Sequence, residues 1–284
     1  MFGKVKRTIA LTVMSSLVLA GSAMAGGMIQ IKGSDTIVNL GGAWAEAYMK
    51  KHPEANIAVT GGGSGTGIAA LINGTADVAN SSRSIKAKEI AQAKDRGFTP
   101  VQHTVALDGI AVIVHPRNPV SKLTMAQLAD IFTGRKTNWK DFGGPNKKIV
   151  LLSRDRNSGT HVFFLEHVLR KGNEKGPEEY ADSALLLPSN QAIANEVAGN
   201  LSAIGYIGLG YMSKKQKALA VAGESGKYIR PSVASVKNAT YPISRGLYMY
   251  TPGAPKGEVK QYLNWILSAE GQKIVAKEDF VTVK

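Results

Sequence analysis

Apolar and polar positions regroup three times along the chain in the same order. In MIQIKGSDTIVNLGGAWAEAYMKKH, residues 28–52, Met28, Ile29 and Ile31 make a short β-type alternation. Gly33-Ser34-Asp35-Thr36 follows as a turn, and Ile37, Leu40, Trp44, Ala47 and Tyr48 then recur near helical spacing. IAVTGGGSGTGIAALING, residues 57–74, repeats the order with five glycines, a serine and two threonines between the apolar run and the helical one. KKIVLLSRDRNSGTHVFFLEHVLRKG, residues 147–172, repeats it again and predicts a strand over 149–153, a turn over 154–158 and a helix from about Gly159. DGIAVIVH and RGLYMYTP, in contrast, read as buried strands with small residues where a hinge can bend. Trp44, Trp139, Trp265, Tyr206 and Tyr211 read as core or lobe-packing residues, and Met125, Leu128 and Phe132 as the buried face of a short helix.

The residues at the three turns suit one task. The first N–H groups of a helix have no intrahelical partner and carry partial positive charge. Ser, Thr and Asp there ordinarily cap the helix. Where several helix starts converge on a cleft, the same N–H groups and hydroxyls can surround an oxyanion instead. Three such turns in one chain, one of them also holding arginine, favour the second use. GGGSGTG lacks the Lys-Ser/Thr of a phosphate-binding nucleotide loop, and no frame from Gly61, Gly62 or Gly63 completes GxGxxG, so a nucleotide site is not expected. Gly61–Gly63 would let backbone approach a small free anion, with Ser64 supplying a hydroxyl.

The start of the chain sets the compartment. Lys4, Lys6 and Arg7 precede an apolar segment from Ile9 to about Ala20 and then Ala23-Met24-Ala25. This is the pattern of a secretory signal peptide with cleavage after Ala25, so a periplasmic location is expected. The chain of 284 residues carries 35 basic and 21 acidic side chains; removing the three bases of the signal leaves 32 against 21, a balance of +11. A basic surface favours anionic partners, and the absence of Lys/Arg blocks interleaved with aromatics argues against nucleic acid. The chain has no cysteine, its five histidines form no HExxH motif and no i, i+4 pair, and there is no GxSxG elbow, so neither a metal, a cofactor nor a catalytic nucleophile is expected.

The residues now in hand resemble the periplasmic phosphate-binding proteins of phosphate ABC transporters. The resemblance runs over residues 28–284 and is carried by GSDT, GGGSGTGI, DVANSSRSI, DGIAVIVHPRNPVSKLTMAQLADIFTGRKTNWKDFGG, SRDRNSGTHVFF and AIGYIGLGY. It implies an α/β, two-lobed venus-flytrap fold of type II with two crossover hinge strands, near VALDGIAVIV and YPISRGLYMYT. It divides the chain into a signal peptide (1–25), a first lobe (26–109 and 245–284) and a second lobe (110–244). It implies inorganic phosphate as the ligand, arsenate as an analogue, and the transmembrane subunits of an ABC permease as partners of a monomer. Phosphate contacts are implied at Ser34, Asp35 and Thr36, at Ser64 and the Gly65 amide, at Ser82 and Arg83, and at Arg154, Ser158, Gly159 and Thr160. Arg154 stands four residues before Ser158, as the family arginine does, whereas Arg156 is expected to face solvent or an acid. Members of the family with a carboxylate in the loop after the third strand use it to accept the proton of HPO4²⁻; here that loop reads Ser81-Ser82-Arg83. Asp35 is the alternative acceptor, an ordinary helix cap being its other use. His161 directly follows the SGT turn, and a catalytic pairing with Ser158 is not expected because adjacent helix positions point apart. Binders of sulfate, molybdate or tungstate, and a secreted phosphoesterase, remain alternatives.

Overall fold

The computed structural model describes residues 27–283; the expected signal peptide and its cleavage after Ala25 lie outside the described residues. The chain runs β1 (Ile29–Gly33), α1 (Asp35–Lys51), β2 (Ile57–Thr60), α2 (Ser64–Ile72), β3 (Val78–Ser81) and α3 (Ala87–Asp95), then the long β4 (Val101–Val114). β5 (Lys122–Thr124), α4 (Met125–Phe132), β6 (Val150–Arg154), α5 (Gly159–Phe164), β7 (Leu185–Leu187), α6 (Asn190–Gly199) and β8 (Ala203–Gly208) follow. β9 (Lys217–Ala218), β10 (Ala220–Ala222), β11 (Tyr228–Ile229) and α7 (Val233–Lys237) lead to β12 (Ser244–Thr251), and α8 (Gly257–Ile266) and α9 (Ala269–Lys277) close the described chain.

One nine-stranded sheet runs β2-β1-β3-β12-β4-β8-β6-β7, with β9 also on β4, and a small sheet runs β11-β10-β5. β4 spans the molecule. Its first part, Val101 to Gly109, pairs antiparallel with β12, and its last part, Ile110 to Val114, pairs antiparallel with β8. From Val105 onward every β4 residue but Leu107 is buried, as expected of a strand with both faces covered. Two lobes hang on these strands. In the first, Ile31, Ile37, Leu40, Trp44, Val78, Leu247, Tyr262 and Val275 pack together, with α1 against α8 and α9. In the second, Val112, Leu128, Phe132, Trp139, Phe164, Tyr206 and Tyr241 form the larger core, and Ile113, Leu152, Ile193 and Ile207 a smaller one on the other side of the sheet.

The three predicted junctions are β1–α1, β2–α2 and β6–α5. The third strand lies one residue later than its pattern predicts, so Arg154 ends the strand rather than opening the turn. α5 runs straight into a wider helical turn over Leu165–Leu169.

Candidate functional site

The three helix starts meet. α1 begins after Ser34 and α2 after Gly63, and neither start has a side-chain cap. The Ser34 hydroxyl instead donates to Ser82 Oγ at 2.9 Å, and the Ser82 amide donates to Ser64 Oγ at 3.0 Å. α5 is different: Ser158 Oγ accepts from the Thr160 and His161 amides at 3.2 and 3.4 Å. From opposite lobes, Thr36 and Thr160 bring their hydroxyls to 2.9 Å. Ser34, Thr36, Ser64, Ser82, Ser158, Gly159 and Thr160 are all buried. A buried group of hydroxyls this dense has more donors than the protein satisfies on its own, which is the composition of an oxyanion site.

Arg154 supplies the charge. Its side chain is 1% exposed. Nη2 donates to Pro188 O at 2.8 Å and lies 3.2 Å from Asp35 Oδ2, and Nε reaches Leu187 O at 3.4 Å. Nη1 is buried with no hydrogen-bond partner. An unmade hydrogen bond on a buried charged donor costs about 1–3 kcal/mol or more, so Nη1 marks where an acceptor belongs. Asp35 Oδ2 also accepts from the Asn190 amide and side chain at 2.9 and 2.8 Å. Asp35 thus does not cap its own helix; it reaches across to the start of α6 and to Arg154 in the other lobe.

Two residues here escaped the sequence reading. Arg245 on β12 and Asp108 on β4 form an ion pair at 2.9 Å with side chains 1% and 0% exposed. Arg245 Nη1 donates to Ser82 O at 2.8 Å, and Nη2 reaches Thr160 Oγ1 at 2.9 Å and Thr36 Oγ1 at 3.3 Å. Burial pushes the Asp108 carboxyl up, while Arg245 and the Leu209 amide oppose that. The signal that could have found them was an acid and a base in two otherwise apolar strand patterns, since charge in a buried strand demands a partner.

The lips of the cleft touch. The Gly65 amide donates to Asn157 O at 3.0 Å, and Asn157 Nδ2 donates to Gly62 O and Thr66 Oγ1 at 2.8 and 3.1 Å. Gly63 needs to be glycine twice over: its φ is +98°, and a Cβ would stand 2.7 Å from Asn157 O. Farther along the rim, Lys86 faces Glu166 at 3.6 Å.

Arg83 turns away. Both of its terminal nitrogens are held by Glu89, at 2.6 and 2.8 Å, and only Nε is buried without a partner. Arg156 is exposed. A separate surface cavity of about 600 Å³, between Thr124, His167, Lys171, Glu224 and Thr240, has no arginine in its walls.

His161 is buried and stacks on Tyr180 at 4.4 Å between ring centres. Its Nδ1 lies 3.1 Å from Ser153 Oγ. Burial above all, with Arg156, Arg154 and Lys86 adding to it against one opposing hydrogen bond, pushes its pKa from 6.5 down to about 4. The unfolded chain therefore binds one more proton than the folded one between those values. The stability that the neutral ring contributes is complete above pH 6.5 and is lost as the pH falls toward 4, by up to about 3 kcal/mol. Thermal unfolding of the parent between pH 7 and 4.5 should show this fall and His161→Gln a shallower one; parallel curves would mean that another group sets the slope.

Comparison with known proteins shows which family the chain belongs to. A family model described as a PBP superfamily domain matches residues 20–270. The phosphate-binding protein PstS of Pseudomonas aeruginosa is 32% identical over 273 residues, covering 90% of this chain and 83% of that protein. PstS of Bacillus subtilis is 33% identical over 265 residues, covering 93% and 83%. Among solved structures, a substrate-binding protein from Clostridium perfringens with bound phosphate superposes with a TM-score of 0.81 at 35% identity, over 91% of this chain and 100% of that one. An ABC-type phosphate transport receptor from Vibrio cholerae gives 0.72 at 30% identity, over 89% and 99%. With a family match over most of its length and relatives above 30% identity over nine-tenths of it, the chain belongs to the PBP superfamily, in the family of the phosphate-binding protein PstS.

Proposed function

We propose that the protein captures inorganic phosphate in the periplasm and delivers it to the transmembrane subunits of an ABC permease, making and breaking no bond. The observation that carries this reading is the buried, unpartnered Nη1 of Arg154 beside hydroxyls from three helix starts. A guanidinium nitrogen with two free hydrogens matches a phosphate oxygen. Ser34, Thr36, Ser64, Ser82, Ser158 and Thr160 would supply hydroxyls, and Gly159 its amide. Arg83, held by Glu89, would act through the loop that carries Ser82 rather than touch the anion. The lobes would divide at 109/110 on β4 and 244/245 on β12, and the packing supports it. The buried residues of the first core end at Ala106 and resume at Leu247 and those of the second run from Ile110 to Ile243, while Leu107 and Val281 cross over to the second core and Tyr211 packs against the first. Arsenate, near-identical in shape and charge, would bind too, and the working unit would be a monomer with its signal peptide removed.

Calorimetric titration of the mature protein with phosphate, arsenate and sulfate tests this reading. Saturable binding of the first two and rejection of sulfate is the expected result; preference for sulfate would overturn it. A colorimetric phosphatase assay should show no turnover.

Asp35 is the carboxylate that would accept the proton of HPO4²⁻. Sulfate, which has no such proton, would meet only lone pairs there, and the repulsion rejects it. Asp35→Asn places an NH2 donor at that point. Phosphate binding should weaken, sulfate binding should strengthen, and the ratio of the two affinities should fall at least tenfold, or about 1.4 kcal/mol. Unchanged discrimination in paired titrations would limit Asp35 to orienting Arg154 and bonding Asn190.

A further inference from the structure

The Arg245–Asp108 pair is expensive to bury. Removing two charges from water costs several kcal/mol per ion, and apolar residues of the same volume commonly serve stability as well or better. The pair also lies where the two lobes exchange strands: Arg245 pairs with Asp108 in the β12–β4 register, one step before β4 passes from β12 to β8. Asp108 also accepts from the Leu209 amide at 3.0 Å, but the remaining contacts of Arg245 are not hinge contacts. They go to Thr36 at the start of α1, to the Ser82 carbonyl after β3, and to Thr160 in the first turn of α5. The guanidinium also stands 5.7 Å over the Phe163 ring of the second lobe.

We propose that Arg245 is a positioning residue of the anion site, joining one threonine from each lobe so that closure completes its contacts and fixes the Thr36–Thr160 hydroxyl pair, one hydroxyl donating to the other and the second left to donate toward the anion. A hydroxyl has one hydrogen and two lone pairs. The bond between Thr36 and Thr160 uses one of their two hydrogens, and an Arg245 N–H directed at the two oxygens occupies their lone pairs and leaves the other hydrogen for an acceptor in the cleft. The same logic holds at Ser158 and Ser64, whose oxygens accept backbone N–H groups. Because Asp108 balances its charge, Arg245 adds no net charge to the site. It acts through geometry that exists only when the lobes meet, since Thr36 and Thr160 belong to different lobes. In the open form the Thr160 contact is lost, so the pair favours the closed, anion-holding state. The role rests on the phosphate-binding reading above.

The test uses the whole mature protein. Arg245→Gln with Asp108→Asn keeps hydrogen-bonding groups and leaves no orphaned charge; Thr160→Val is made in the parent and in that background. Phosphate affinity is measured by calorimetry, release by stopped flow, and melting without ligand. The neutral pair should bind phosphate at least tenfold more weakly, mainly through faster release. Thr160→Val should cost at least threefold less there than in the parent, because the contact it removes is already gone. Should the double variant fail to fold, Arg245→Lys keeps a cation beside Asp108 but cannot join both threonines, and the same tenfold loss is expected. Parent-like affinity in the folded variant, or an equal cost of Thr160→Val in both backgrounds, overturns the role and reduces the pair to a hinge contact. A parent that binds no phosphate overturns both this role and the reading it rests on; a parent that binds, with variants that match it, overturns this role alone.

Discussion

Replacing Arg154 with alanine should abolish most phosphate binding while the chain stays folded. Arg154 lies at the end of β6, where its backbone pairing with Leu187 does not depend on the side chain. The guanidinium, in contrast, has Nη1 open to a ligand and Nη2 divided between Pro188 O and Asp35. Loss of a charge-assisted partner from a desolvated anion costs about 2–5 kcal/mol, roughly thirtyfold to several thousandfold in affinity. Arg154→Lys should fall between, since lysine restores charge without the fork. Calorimetry gives the affinities, and melting without ligand checks the fold. Binding of Arg154→Ala within a few-fold of the parent would remove Arg154 from contact with the anion. Arg245 would then be the cation to examine, because Arg83 is engaged by Glu89.

Much of this site was legible because its parts are local. A strand, a short polar turn and a helical period can be read within about 20 residues, and the structure puts all three such junctions around one cleft. What stayed hidden is what depends on residues far apart in sequence. Arg83 reads as one more cation near the anion, yet Glu89, six residues on, claims its fork. Asp35 reads as either a cap or an acceptor, and the structure adds a third use, since its partners Asn190 and Arg154 come from the opposite lobe. Arg245 and Asp108 are 137 residues apart and occur singly in apolar strands, so no window of sequence holds both. The small sheet of β5, β10 and β11 was likewise unreadable, because strands of two or three residues have no measurable period.

A single methyl group at Gly159 should separate binding from folding. A Cβ there would stand 2.3 Å from Ser64 Oγ, 2.7 Å from Ser82 Oγ and 3.0 Å from Ser64 Cβ. All three atoms belong to the first lobe, whereas Gly159 opens α5 in the second. Within its own lobe the glycine has no backbone need, because its φ is not positive and it lies in a helix, where alanine is favoured over glycine by about 0.5–1 kcal/mol. Gly159→Ala should therefore melt at the same temperature as the parent without ligand, or slightly higher. Closure is another matter. The Ser64 and Ser82 side chains are buried and bonded to each other, so the least costly response is for the lobes to stay apart. Overpacking of this kind costs about 2 kcal/mol or more, roughly thirtyfold in phosphate affinity. The loss should appear as faster release, since the open lobes can still meet the anion one at a time. Gly63→Ala is a poorer probe: with φ at +98°, backbone strain and the clash with Asn157 would act together. Parent-like phosphate affinity in Gly159→Ala would mean that the lobes hold the anion without coming as close as Ser64 and Gly159 do here, and the contacts across the cleft would then belong to a state beyond the one that binds.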